Sequence, residues 1–342
     1  MIFHKDKILV FVRVFFVAAL CLSTWLACSR PQSRGASMEY AQWFSVQPDS
    51  SVVVFSPFGG KTDTLRGPFR RIVCMSSSYV GFLEAIGRED AVVAVSGLEF
   101  LGAKVDAVEA GYDAALDYEA ILKTRPDLFV TYSVSAAEPG YLGKLRELGI
   151  RCTVIHEHLE SHPLARAEYV KLFGALTGSL HQADSLFAEV RDRYLALVQP
   201  EISHKVLINI PYADQWFIPG GDNYMTRLIA DAGGEVLGAV PGRQESSVID
   251  METAFRYAQE ADFWLHPGWC RTREQLCGVH PLFADFPVLG KAVWNNTLQT
   301  TPGGGNRYWE TGPVRPDLVL EDLVRIFSGT ASSAPLHYYR PL

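Results

Sequence analysis

Three groups of side chains carry the chemistry open to this chain. Histidines 156, 158 and 162 stand with Glu157 and Glu160 in HEHLESH; imidazole and carboxylate together suit a divalent metal, and His156 is the candidate ligand. Their order is not the HExxH of a zinc protease. Ser76, Ser77, Ser78 and Tyr79 follow an apolar run and open a helical stretch. There, hydroxyls and helix-start N–H groups can meet an anionic ligand group or simply cap the helix. The third group is aromatic: Tyr212, Trp216, Phe217 and Tyr224, then His266 and Trp269 beside Arg271, then Arg307 before Tyr308 and Trp309. Large flat rings next to a few cations suit a large, conjugated, anionic molecule. Tyr212, Trp216, Trp269, Arg271, Arg307 and Trp309 are expected to face it. Phe217, alternating with Trp216 in the strand-like QWFI, is expected in the core. Phenolate and imidazole both ligate iron, so Tyr132, Tyr212 and His156 are candidates to hold a metal-bearing ligand.

Such groups need elements to position them. Short apolar runs at 71–75, 91–96, 127–132 and 151–156 alternate with helical stretches at 79–86, 118–123 and 141–148. The alternation restarts with strands at 205–210, 262–266 and 291–294 and helices at 224–232 and 251–259. Between the two series, from about 162 to 200, apolar residues recur only at helical spacing. Ser161 and Pro163 suit the start of that stretch, and Gly174 and Gly178 mark a break within it. The expected fold is α/β: two Rossmann-like lobes with mostly parallel sheets, joined by a long helical connector, with a ligand cleft between them. Tyr212 and Trp216 then lie just past the second lobe's first strand, and Gly220 and Gly221 let the backbone turn before the next helix.

The chain has 342 residues, enough for two domains, and 48% hydrophobic residues, enough to fill their cores. A net charge of −7 with no basic run excludes nucleic acid as a partner. The serine turn lacks the G-x-G-x-x-G of a dinucleotide enzyme. At the N-terminus, Lys5, Lys7 and Arg13 precede an apolar core at 14–22 and the small residues before Cys28. Interrupted by Arg13, the apolar stretch falls short of the roughly 20 residues that span a bilayer. It reads as a signal peptide, 1–27, whose Leu26-Ala27-Cys28-Ser29 end resembles the lipobox of bacterial lipoproteins, with Cys28 the lipidated residue. A Pro-, Gly- and Ser-rich tether runs over 28–40. The N-terminal lobe is then expected over 41–160, the connector over 161–200 and the C-terminal lobe over 201–342. Cys74 and Cys152 sit in apolar runs, while Cys270 and Cys277 could pair in an oxidising envelope.

Several segments together resemble the periplasmic substrate-binding lipoproteins of ABC importers for iron complexes, heme and cobalamin. RIVCMSSSYVGFLEAIGREDAVVAVSG, 71–97, is similar to the family's first strand, serine-rich turn, helix and second strand. YEAILKTRPDLFVTY, 118–132, carries its Glu-x-Ile and Pro-Asp-Leu; SSVIDMETAFRYAQEADFWLHPG, 246–268, its Ser-x-Glu helix and strand; VRPDLVLEDLVRIF, 314–327, its closing helix. The resemblance spans about 70–328 and implies a binding protein rather than an enzyme. It implies no intrinsic cofactor and a bound iron complex (siderophore or heme), or alternatively a corrinoid. Glu119 and Glu252, each opening a helix, correspond to the glutamates with which the family docks arginines of its permease; an acid there also suits the helix dipole. The implied partners are a permease, its ATPase and, through the lipid, a membrane of the cell envelope, with the body acting as a monomer. Capture of free zinc or manganese by the histidines, and a chelatase-like enzyme using His156 and Glu157, are the readings from other classes.

Overall fold

The computed structural model describes residues 38–342 apart from 61 and 214. The expected signal peptide and Cys28 lie outside the described residues. The first described element is a three-stranded antiparallel sheet of β1 (Phe44–Val46), β2 (Val52–Val54) and β3 (Asp63–Leu65). Of these only β2 (VVV) is an apolar run; β1 (FSV) and β3 (DTL) are three residues long and interrupted by polar residues.

The N lobe follows. Its strands are β4 (Ile72–Cys74), β5 (Val92–Val95) and β6 (Val108–Glu109), a small hairpin of β7 (Gly111–Tyr112) and β8 (Ala115–Leu116), then β9 (Leu128–Thr131) and β10 (Cys152–Val154). Five of them form one parallel sheet in the order β10-β9-β4-β5-β6. Every residue of β4, β5 and β9 is buried, which is why these strands read as unbroken apolar runs. Ile72, Cys74, Val92 and Leu128 face one core with helix α1 (Ser77–Ala85). Val73, Ala94 and Phe129 face a second core with α2 (Tyr118–Lys123) and α3 (Tyr141–Glu147).

The connector is three helices: α4 (Pro163–Ala167), α5 (Tyr169–Thr177) and α6 (Leu180–Leu197). Its N-cap is His162, not the expected Ser161: Nδ1 accepts from the Leu164 amide at 3.0 Å. Gly178 ends α5 with φ +76°, the left-handed conformation that glycine tolerates best. Gly174 does not break the helix. It lies inside α5, where a Cβ would come within 2.5 Å of the Ala183 Cβ, so its role is close packing on α6.

Two buried carboxylates, Glu160 just ahead of the connector and Glu168 within it, fasten the first described residues. Glu168 accepts the Glu39, Tyr40 and Ala41 amides at 2.8–2.9 Å, and Glu160 accepts the Gln42 and Trp43 amides at 2.9 and 3.2 Å. The folded body therefore includes residues 39 and 40, ahead of the expected boundary at 41.

The C lobe runs β11 (His204–Ile208), β12 (Trp216–Ile218), α7 (Tyr224–Asp231), β13 (Gly234–Val236), β14 (Ser247–Ile249), α8 (Met251–Glu260), β15 (Phe263–Leu265) and α9 (Arg273–Val279). It closes with β16 (Ala292–Asn295), α10 (Arg307–Thr311), α11 (Pro316–Phe327) and β17 (Arg340–Pro341). The sheet order is β13-β11-β15-β16-β17, parallel except for β17, and β12 pairs with β14 apart from it. In each lobe the first strand sits inside the sheet and the chain winds off it in both directions. This opens a crevice at the carboxyl ends of β4 and β9 in one lobe and of β11 and β15 in the other. The architecture is the expected pair of α/β lobes on a helical connector.

Candidate functional site

At the N-lobe crevice the serine turn is partly consumed by structure. Ser76 caps α1, its Oγ accepting the Ser78 amide at 3.4 Å and lying 2.8 Å from the Ser78 Oγ. The Ser78 hydroxyl donates to Glu157 Oε1 at 3.0 Å, and Arg166 Nε donates to Oε2 of the same carboxylate at 2.8 Å. The Arg166 guanidinium lies 4.1 Å from the ring centroid of Tyr224, the first residue of α7. A continuous polar chain thus crosses from the N lobe through the connector to the C lobe, and Ser78 is not free for a ligand. Tyr79 is fully buried against Phe173, ring centroids 5.7 Å apart, so the expectation that it faces ligand is corrected. Ser76, Ser77 and Tyr132 remain partly exposed.

The histidines do not converge. His162 caps α4, Glu157 is held by Ser78 and Arg166, and the His156 and His158 rings stand 6.4 Å apart. Among the described residues no three His, Cys, Asp or Glu side chains are grouped to hold a metal ion. His156 is buried, and desolvation pushes its pKa down to about 4, so it is neutral at physiological pH.

At the C-lobe crevice the aromatics divide the opposite way from the expectation. Trp216 is only 2% exposed, stacks on Trp264 at 5.9 Å, and donates Nε1–H to the Ile208 carbonyl at 2.9 Å. Phe217 is the exposed one, at 36%. Alternation on β12 was a sound guide, but its phase could not be read from the types, because the indole N–H finds its acceptor inside. Tyr212 and Trp269 are 81% and 65% exposed. Tyr212 opens a tight turn closed by its own amide on the Gln215 carbonyl at 2.9 Å. Asn209, Ala213 and His266 carry φ of +68°, +51° and +57°. Left-handed conformations of non-glycine residues, gathered beyond two adjacent strands, cost free energy that their surroundings must supply. His266 supplies part of it: buried and neutral, it places Nε2 2.5 Å from the Tyr339 hydroxyl and fixes the backbone that presents Trp269. Arg271 is exposed on the same loop.

The third aromatic segment, 301–311, is an interlobe clasp. Arg307 donates to Glu84 of α1 at 2.8 Å and to Glu310 at 2.6 Å, and Glu310 accepts the Gly102 and Ala103 amides at 2.9 and 2.8 Å. The expected ligand cation is thus already paired. Gly303 and Gly305 let the backbones touch: a Cβ would fall 1.9 Å from the Glu99 carbonyl and 1.8 Å from that of Phe100. The GGG run was the available sign of this close approach. Glu84 and Glu310, which complete it, had no sign of their own. Trp309 remains 47% exposed beside Tyr308.

Glu119 and Glu252 open α2 and α8 in matching frames. Asp117 and Asp250 cap the two helices, accepting the Ala120 and Thr253 amides at 2.9 and 2.8 Å, and each glutamate lies two residues on, exposed. Glu119 pairs with Lys123, at 2.7 Å on the surface. Cys270 and Cys277, which could have paired, are free thiols, as are Cys74 and Cys152.

Residues 72–276 match the family described as periplasmic binding protein. An uncharacterized lipoprotein of Methanocaldococcus jannaschii is 26% identical over 294 residues, covering 78% of this chain and 67% of that one. A periplasmic binding protein from Veillonella parvula has a similar fold, TM-score 0.60 at 14% identity over 82% of this chain and 98% of its own. The periplasmic heme binding protein HutB of Vibrio cholerae has TM-score 0.57 at 22% identity over 73% of this chain and 98% of its own. At such identities the structural likeness is one of fold, whereas the family match runs through both lobes and the connector. The chain belongs to the periplasmic binding protein family.

Proposed function

We propose that the protein is the lipid-anchored substrate-binding component of an ABC importer, capturing an iron complex, a siderophore or heme, between its lobes and delivering it to a permease. One observation carries the ligand class: Tyr212 and Trp269, large rings with little contact, stand on strained backbone at the C-lobe switch point beside the exposed cation Arg271. Ser76, Ser77 and Tyr132 are the N-lobe groups of the same cleft, and Trp309 borders it. Tyr212 and Tyr132 carry the phenol oxygens that could reach an iron. The heme binding protein among the structural neighbours supports this reading. A corrinoid, also flat and metal-centred, is the second reading. Binding rather than catalysis is what the family does, and no step of chemistry is assigned to the site. Glu119 and Glu252 are the docking acids, and Cys28 carries the lipid in the cell envelope, in keeping with the lipoprotein relative.

The test is titration of the purified protein with heme, ferric siderophores and cobalamin, following Soret absorbance and tryptophan fluorescence. Saturable binding of one of them is expected; silence toward all would remove the proposal.

A further inference from the structure

Each lobe places a two-stranded antiparallel ribbon just ahead of its exposed glutamate. In the N lobe it is β7 with β8, in the C lobe β12 with β14, and neither ribbon belongs to its lobe's parallel sheet. The frames match residue for residue. Ala115 stands four residues before Glu119 and Val248 four before Glu252, with the capping aspartates Asp117 and Asp250 midway. Four residues of chain span at most about 14 Å, so each ribbon lies beside its acid. Across the ribbons Ala115 is opposite Tyr112, and Val248 is opposite Phe217. Directly opposed residues share one face of an antiparallel pair. That face is turned to water in both lobes: Tyr112 is 50% exposed, Phe217 36% and Val248 53%. Burial of Trp216 and Ile218 leaves Phe217 no other direction on its strand. Helix α2 leads into β9 and α8 into β15. Crossover helices run antiparallel to the strands they join, so both acids and both ribbons lie at the carboxyl edges of the sheets, where the crevice opens.

Resting on the reading of Glu119 and Glu252 as docking acids, we infer that the two ribbons are the apolar part of the same permease-binding surface. Tyr112 and Phe217 are its anchors, and Val248 widens the second. Exposed ion pairs are screened by water and salt, so the acids steer and orient the encounter while contributing little hold. Rings that leave water on contact supply the hold. The device occurs once per lobe, so it fits a partner that presents one complementary patch twice, as a symmetric membrane protein does.

The test places the photo-crosslinker p-benzoylphenylalanine at position 112, 217, 123 or 195 of the full-length protein in intact cells of its source. Position 123 is beside Glu119, and position 195, exposed on connector helix α6, is the control. Adducts from 112, 217 and 123 should join one many-helix membrane protein, identified by mass spectrometry as a permease, and 195 should give none. Tyr112→Ser combined with Phe217→Ser should keep wild-type thermal unfolding and lower the adduct yield from 123 by roughly tenfold or more. Permease adducts from 123 but not from 112 and 217 overturn the ribbons and leave the docking acids standing. Adducts from 112 and 217 to lipid alone, or to a second copy of this chain, overturn the proposal. So does an unchanged yield from 123 in the double-serine variant. Silence at 112, 217 and 123 alike removes the docking reading together with the ribbons.

Discussion

Single residues separate the candidate ligand surface from the core that supports it. Tyr212→Ala and Trp269→Ala each remove a ring with little protein contact, so folding stability should hold while ligand affinity falls roughly 10- to 100-fold, the loss of about 1.4–2.7 kcal/mol. Trp216→Ala should do the reverse, costing about 3–5 kcal/mol of stability in denaturant unfolding. Glu160 offers a pH test. It is buried, and desolvation raises its pKa to about 7. An acid with a raised native pKa adds stability below its unfolded pKa, near 4.5, and loses it as pH rises through about 7. Glu160→Gln should therefore flatten the fall in stability between pH 4.5 and 7, gaining up to about 3 kcal/mol on the alkaline side, as measured by urea midpoints across pH. The type of each aromatic was legible in the sequence, but its direction was not. Trp216 and Phe217 are neighbours of similar polarity, and only the Ile208 carbonyl, brought close by β11, decides which turns inward.

The strands β4, β5, β9, β10, β11, β15 and β16 and the amphipathic helices were readable because burial on one or both faces marks their sequence with apolar runs or a period. The small sheet β1–β3 and the strands β13 and β14 were not; apart from β2, each is a three-residue strand interrupted by a polar residue or a glycine. The clasp was misread as a ligand loop for another reason. Aromatics and an arginine look alike in sequence whether they meet a ligand or another lobe, and Glu84, Arg307's partner, is 223 residues away. Gly305→Ala should force the 301–311 segment off the Phe100 carbonyl, and Arg307→Ala should leave Glu310 buried without its cation. Each should cost about 2–4 kcal/mol and speed hydrogen exchange at the Gly102 and Ala103 amides, while amides of β4 and β9 exchange as before.

For the whole molecule, the two lobes carry Asp-capped helices that present Glu119 and Glu252 at matching positions. Glu119→Ala combined with Glu252→Ala should abolish uptake in cells and leave the affinity of the purified protein unchanged. Uptake at the wild-type rate would remove these acids from docking. The two-lobed plan itself was legible end to end, because alternation of strand and helix survives any uncertainty at single positions. Where the polypeptide joins the body was not, since it depends on two carboxylates, Glu160 at the entry to the connector and Glu168 within it, gripping backbone amides 117 to 129 residues away in sequence. That grip has a mechanical consequence. Force applied through the N-terminus runs into five amide-to-carboxylate bonds at and just before the connector before it reaches either sheet, so tension loads the strut between the lobes while the crevice stays unstressed.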